Sequence, residues 1–587
     1  MINKYEIIII IICAASFATP IMADSYWQVS NGNWGNDLNW DPASEPGCST
    51  YTYINNSGTA EITEDGETCF HLYLGYSSSD IGNVYMTGGS LTAEACTPSN
   101  TGKETIGRYG EGTFTQTAGI NSIGYGLTLG SSLGSSGTYE LSGTGQLSIN
   151  RLGWVGYHGT GEFIQSEQST ATIGQVLYIA SEADSKGTYE LSDDAQLTVY
   201  NDEYIGYRGT GAFTQTGGIH SVIDYFILGH ESSGDGSYDL SGTGQLTAKY
   251  EEVGKSGTAV FKHSDGTNNF DVTLKLAVDS NSEGTYNLSG AGQLTSTTGS
   301  ELIGIRGLGT FIQTGGTNNT YQICLGNYSG SNGTYTISGG DINVENFTVA
   351  SYDGSIGTFN ITHPDANVTV YNQLKIRSGS IFTAVPESKI YMTGSNFINQ
   401  SIDPNKVMGL SNLEFIFQSS SEDIDFFEVA GEDIGATYLG FNKNFALRTL
   451  RVGDVNTGKI RLIDSDDNQP NSTEAEALYV TNLILGADSS LDLNGLNLYY
   501  SYFTDMGGII ITNGGNLIQV TSFAPGDFNE NNQVDFLDFA IFGNAWRSQP
   551  GDDNWNDRCN ISETADNVIN ELDLTVFCEN WFDWTIP

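Results

Sequence analysis

The chain has 587 residues, with 69 Asp or Glu against 22 Lys or Arg and a formal net charge of −47. Charged residues make up only 16%, against about 25% in ordinary soluble domains, so the imbalance comes from missing bases. Such a chain repels nucleic acid and anionic membranes. Its hydrophobic content of 38%, with 31 Tyr and 27 Phe, excludes disorder. Gly is abundant (73) and Pro scarce (11), a composition of strands and tight turns.

Residues 1–23 read as an export signal. Lys4 supplies a positive start, Ile7 to Ile12 open an apolar core that runs to Ala18, and Ala23 before Asp24 is a plausible cleavage point. The core is too short to span a bilayer, and no later segment reaches about 18 apolar residues. The mature chain is therefore expected outside the cell or on its surface, with no transmembrane segment. Six cysteines remain, Cys48, Cys69, Cys96, Cys324, Cys559 and Cys578. An oxidising compartment permits disulfides among them, with connectivity open.

Residues 24–369 are dominated by a repeat. Gly112-Thr-Phe-Thr-Gln-Thr, Gly137-Thr-Tyr-Glu-Leu-Ser and Gly211-Ala-Phe-Thr-Gln-Thr are copies of one segment. Their aromatics form a series: Phe114, Tyr139, Phe163, Tyr189, Phe213, Tyr238, Phe261, Tyr286, Phe311, Tyr335 and Phe359. Separations run from 23 to 26 residues, and Phe alternates with Tyr, so the full unit is about 49 residues. Columns of the type Ile106-Gly107 and Gln146-Leu147 recur in register, with apolar and polar residues alternating around them. Period two means strands with one buried face. A unit of 24 residues cannot bury that face alone, but stacked copies can. The expected fold is all-β, a right-handed parallel β-helix with one unit per coil. Eleven coils at about 4.8 Å make a rod of about 50 Å. A propeller shares the longer period, but the likeness of the two half-units favours coils.

Ahead of the repeat lie Gly32-Asn-Trp34-Gly-Asn-Asp-Leu-Asn-Trp40 and Asn55-Asn-Ser-Gly-Thr-Ala60. These resemble the opening of autotransporter-like β-helix proteins, which implies an aromatic cap on the first coil. Residues 370–521 lose the period but stay strand-like, as in Leu491-Asp-Leu-Asn-Gly-Leu-Asn-Leu-Tyr499, and read as a divergent continuation and cap.

Residues 522–587 carry the strongest chemical motif. Asp527, Asn529, Asn531, Gln533 (through its carbonyl), Asp535 and Asp538 stand at positions 1, 3, 5, 7, 9 and 12 of a calcium loop. That spacing folds hard oxygen ligands around one point. A helix follows to Trp546. Thirty-five residues on, Asp573-Leu-Thr-Val-Phe-Cys-Glu-Asn-Trp581 repeats that helix. It is preceded by a second set: Asn560, Ser562, Asp566, Val568 (carbonyl), Asn570 and Asp573. With two Asp against three, the second loop is expected to hold Ca²⁺ more weakly. The duplicated loop and helix resemble a dockerin type I domain, a small EF-hand-like α-helical module. The resemblance implies one Ca²⁺ per loop and docking onto a cohesin-like protein or another cell-surface partner. The residues that read the partner in that family are small and polar. Here they are Phe536-Leu537 and Glu571-Leu572.

Catalytic signals are sparse. Glu140, Glu190 and Asp239 follow successive tyrosines of the series, two coils apart, roughly 9.6 Å, at the upper limit for an inverting carboxylate pair. They recur with the repeat, whereas an active site should break it once. Gly130-Ser-Ser132-Leu-Gly134 matches a nucleophile elbow without its strand-to-helix setting. Gln116, Gln165, Gln215 and Gln313 suggest an amide ladder along the rod. Two readings follow. One is a non-catalytic exported scaffold or adhesion rod tethered by a calcium-dependent module. The other is a secreted carbohydrate-active enzyme, a glycosidase or polysaccharide lyase, on the same rod. A polysaccharide is a possible partner of either, and nucleic acid of neither.

Overall fold

The computed structural model describes residues 23–96, 101–419, 423–470, 472, 475–520, 525–529, 534–562 and 568–584. The expected export signal, Ala23 excepted, lies outside them, as do Asn531, Gln533 and Asp566. The chain forms a parallel β-helix followed by two short helices. Each turn of about 25 residues contributes three strands. Lys103–Ile106, Glu111–Gln116 and Ile120–Ile123 make one turn; Gly126–Leu129, Ser136–Leu141 and Gln146–Ile149 make the next. Each strand pairs in parallel with its counterpart one turn on, so that Phe114 sits beside Tyr139 and Tyr139 beside Phe163. We call these three rows lanes one, two and three. Lane two is a sheet of 15 strands, about 67 Å long at about 4.8 Å per strand. The stack excludes a radial propeller.

Alternation decides which residues face in. In Glu111–Gln116 the buried positions are Gly112, Phe114 and Gln116, and the same three positions are buried in every lane-two strand from there to Ile356–Ile361. Phe213 and Tyr238 are each 1% exposed. The rings stack from Phe114 to Tyr335 with centroids 4.4 to 5.1 Å apart. The corner after lane one explains the Ile-Gly column. Gly206 has φ +69°, and a Cβ there would lie 2.2 Å from the Asp235 carbonyl oxygen. Ala180, Ala277 and Ala350 hold that corner at φ 60°, 56° and 59°, accepting a conformation that favours glycine.

From Ile219 onward lanes three and one merge into long bent strands such as Ile219–Leu228, with a register shift between Val222 and Tyr225. Lane two ends at Ser380–Ala384. Parallel pairing in the other rows continues through Leu413–Gln418 and Leu447–Val452 to Leu517–Gln519, so residues 370–520 extend the same stack. At the other end Trp27, Trp34 and Trp40 are fully buried and packed edge to face, with the Trp40 indole donating to the Trp34 carbonyl at 2.7 Å. Cys48 and Cys96 form a disulfide. Cys324 is a buried thiol in the lane-one row, and Cys559 and Cys578 are not joined.

Candidate functional site

The C-terminal module is built on a repeated carboxylate. Helix α1 (Phe536–Ala545) begins at Asp535, whose side chain accepts from the Leu537 amide at 2.7 Å. Asp538, in its first turn, is fully buried. One of its oxygens accepts from the amides of Phe528 and Asn529 at 2.8 and 2.9 Å, the other from the Asp535 amide at 3.0 Å. Helix α2 (Glu571–Trp584) repeats this. The buried Asp573 accepts from the amides of Ile561 and Ser562 at 2.7 and 2.9 Å and of Asn570 at 2.9 Å. Asn570 in turn accepts from the Leu572 amide. Each carboxylate thus clamps the start of its loop to the start of its helix. Three N–H donors on one carboxylate are worth more than neutral bonds.

Of the expected ligands, Asp527, Asn529, Asp535 and Asp538 lie together around the first loop, and Asn560, Ser562, Val568, Asn570 and Asp573 around the second. Asn531, Gln533 and Asp566 lie outside the described residues. Among the described residues no three His, Cys, Asp or Glu side chains converge on one point. The second loop does show the signature of a missing partner. Asn560 Oδ1 and Ser562 Oγ, expected ligands 1 and 3, are buried without a hydrogen bond. Buried acceptors with no donor are costly, and a hard cation is the partner that two such oxygens fit. The donor set is compatible with Ca²⁺ on that observation.

The module's core is small: Phe528, Val534, Phe542, Ala545, Cys559, Ile569 and Phe577 are buried. Phe528, Phe542 and Phe577 stack on one another. Phe536, Leu537 and Leu572 are 80%, 65% and 51% exposed, so the pairs that would read a partner are on the surface.

In the rod, Glu140, Glu190 and Asp239 face outward on lane two; Glu140 accepts from Thr115 at 3.1 Å. Ser131 and Ser132 lie in the corner after lane one, where no helix follows. The expected amide ladder is corrected. Gln116, Gln165, Gln215 and Gln313 are fully buried and occur in alternate turns, so they do not stack on one another. Each instead accepts from the tyrosine hydroxyl of the next turn: Tyr139, Tyr189, Tyr238 and Tyr335, at 2.5 to 2.7 Å.

That bond belongs to a relay the sequence reading missed. Asn121 donates to the Tyr139 hydroxyl and to the buried Glu104, at 3.1 Å each. Asn268 joins Tyr286 to Glu251, and Asn318 joins Tyr335 to Glu301. His220 stands in for Asn between Tyr238 and Glu203, at 3.0 and 2.7 Å. His263 replaces Gln beside Tyr286 at 2.9 Å, and burial lowers its pKa to about 4. Burial raises the carboxyl pKa of Glu104 to about 8, of Glu251 to about 7 and of Glu301 to about 8. The relay explains the 49-residue period: one turn supplies Tyr, and its neighbour supplies Phe, Gln, Asn and Glu. The Phe163 turn lacks it, with Gly153 and Ala171 in the Glu and Asn positions, and a small apolar cavity lies there between Leu147, Phe163, Ala171 and Tyr189. The Glu column, three residues before each corner glycine, was legible in the sequence as Glu104, Glu203, Glu251 and Glu301.

No helix of the described residues is long and apolar enough to cross a membrane. No protein-family model matches the chain, and no curated protein does.

Proposed function

We propose that the chain is a non-catalytic extracellular scaffold or adhesion rod, tethered to a surface partner through its calcium-binding, dockerin-like C-terminal module. One observation carries this reading: Asp538 and Asp573 organise two loop-helix copies in the same way, and the second loop leaves Asn560 Oδ1 and Ser562 Oγ buried and unpartnered. In the calcium-loaded form Asp527, Asn529, Asn531, Gln533, Asp535 and Asp538 would hold one ion. Asn560, Ser562, Asp566, Val568, Asn570 and Asp573 would hold the other. The ions would neutralise loop carboxylates that otherwise repel one another and add stability to a core of seven buried residues, which is too small to hold by burial alone.

The exposed Phe536, Leu537 and Leu572 favour a partner with an apolar receiving surface, unlike the polar pairing usual for cohesins. Titration calorimetry of the mature chain with Ca²⁺ tests the reading. Two ions should bind per chain, and the module should melt higher with Ca²⁺ than in excess chelator. A chain that takes up no Ca²⁺ would falsify the metal assignment and, with it, the tether.

A further inference from the structure

The outward face of lane one differs from the rest of the rod. Between Glu111 and Gln313 the outward positions of lane two carry Thr, Ser, acids, amides, aliphatics and the lysines Lys186 and Lys262, with no aromatic ring. The outward face of lane one and its corner carry rings on turn after turn. Tyr26, Tyr53 and Tyr73 stack at 4.8 and 5.3 Å. Further along, Tyr125, Trp154, Tyr178 and Tyr204 stack at 6.4, 6.3 and 5.2 Å. Three cations lie against these rings, one at the first run and two at the second. Arg108 lies over Tyr73, Tyr76 and Tyr109 at 4.9, 4.6 and 5.4 Å. Lys103 and Arg151 share the Tyr125 ring at 4.6 and 5.8 Å.

Among the described residues these three cations have no carboxylate within ion-pair distance, although the chain has 69 acids. Several cations elsewhere on the rod are captured: Arg208 by Glu182 at 3.0 Å, Lys255 by Glu252 at 3.0 Å, Arg461 by Asp492 at 2.8 Å. A strip of flat rings carrying three cations is thus set into an acidic rod.

We propose that this strip, centred on Arg108, Lys103, Arg151, Tyr109, Tyr125 and Trp154, binds an acidic polysaccharide of the polyuronate class lying along the rod axis. Pyranose rings present C–H faces that stack on aromatic rings, and guanidinium groups pair with carboxylates in a planar, two-bond geometry. Lys103 and Arg151 stand two turns apart, about 9.6 Å, so a polymer with charge repeated along its length meets them in succession. Any long polyanion, nucleic acid or polyuronate, feels the repulsion of the whole rod, so the strip suits a short uronate segment whose flat C–H faces stack on the rings. This inference rests on the rod and is independent of the calcium module.

The test is titration of the mature chain with oligogalacturonate, neutral xylo-oligosaccharide and single-stranded DNA, in excess chelator so that calcium bridging cannot contribute. Oligogalacturonate should bind, and its affinity should fall about tenfold or more as salt rises from about 50 to about 500 mM. The triple variant Lys103→Gln/Arg108→Gln/Arg151→Gln should lose about tenfold or more at low salt with its melting temperature unchanged. Trp154→Ala should lose several-fold at any salt. No binding of the uronate overturns the proposal, as does equal affinity for the neutral glycan, tighter binding of DNA, or full affinity in the triple variant.

Discussion

The rod and the C-terminal module solve the same problem by opposite means. The rod buries a continuous apolar column and can carry polar groups inside it, because every turn is walled by two neighbours. The module has only seven buried apolar core residues among those described and rests on two carboxylates that each receive three amides. Buried charge is thus a cost in the rod and a fastener in the module. The lesson is that the role of an acidic residue in this chain depends on the donors around it: Glu104 has a single Asn partner, Asp538 a full set.

The comparison breaks most sharply with pH. Glu104, Glu251 and Glu301 have pKa values raised by burial to about 8, 7 and 8. The folded rod therefore keeps protons that the unfolded chain releases above about 4.5, the ordinary range for Glu. The associated stability is fully present below that value and is lost as pH rises through 7 and 8. The loss is at most about 1.4 kcal/mol per pH unit for each carboxyl, so the three together exceed any single substitution below. Denaturant melts at pH 5 and pH 9 should show the rod weakening with pH, and Glu104→Gln/Glu251→Gln/Glu301→Gln should flatten the trend.

Next in size is Phe213→Ala, which leaves a hole between Tyr189 and Tyr238. The cost should be about 3–5 kcal/mol, with hydrogen-exchange protection lost first in the adjacent turns. Uniform loss along the whole rod would contradict nearest-neighbour stability. In the module, Asp538→Ala and Asp573→Ala each strand three amides, two of them in the loop, and should each cost about 2–4 kcal/mol. The similarity of the two bonding sets argues for similar losses of helical signal in chelator. Their difference should appear only with Ca²⁺, where the first loop would offer more charged ligands.

The smallest effect sharpens the account of the relay. The Tyr139 hydroxyl meets Gln116 and Asn121, whereas the Tyr189 hydroxyl meets only Gln165. Tyr139→Phe should therefore cost more than Tyr189→Phe, by about 1 kcal/mol, as read from paired thermal melts.

Much of this protein was determined by local pattern. The Phe and Tyr series and the period-two alternation dictated strands, coil length and the inward rings. Those features depend only on each unit meeting a copy of itself. The calcium-loop spacing likewise placed Asp538 and Asp573 at equivalent points, because a short loop brings its own ends together. What the sequence left undecided involves partners far apart along the chain. Gln116 reads as a rung of an amide ladder until the fold sets it beside the hydroxyl of Tyr139, 23 residues on. Glu104 gains its partner only when lane one turns it inward against Asn121. Arg108 and Arg151 lie 43 residues apart in the chain, and only the stacking of turns sets them on one strip of rings. The physical reason is the same in each case. Period two tells which residues share a face of one strand, but which faces meet is decided by closure of the coil and its register with its neighbours.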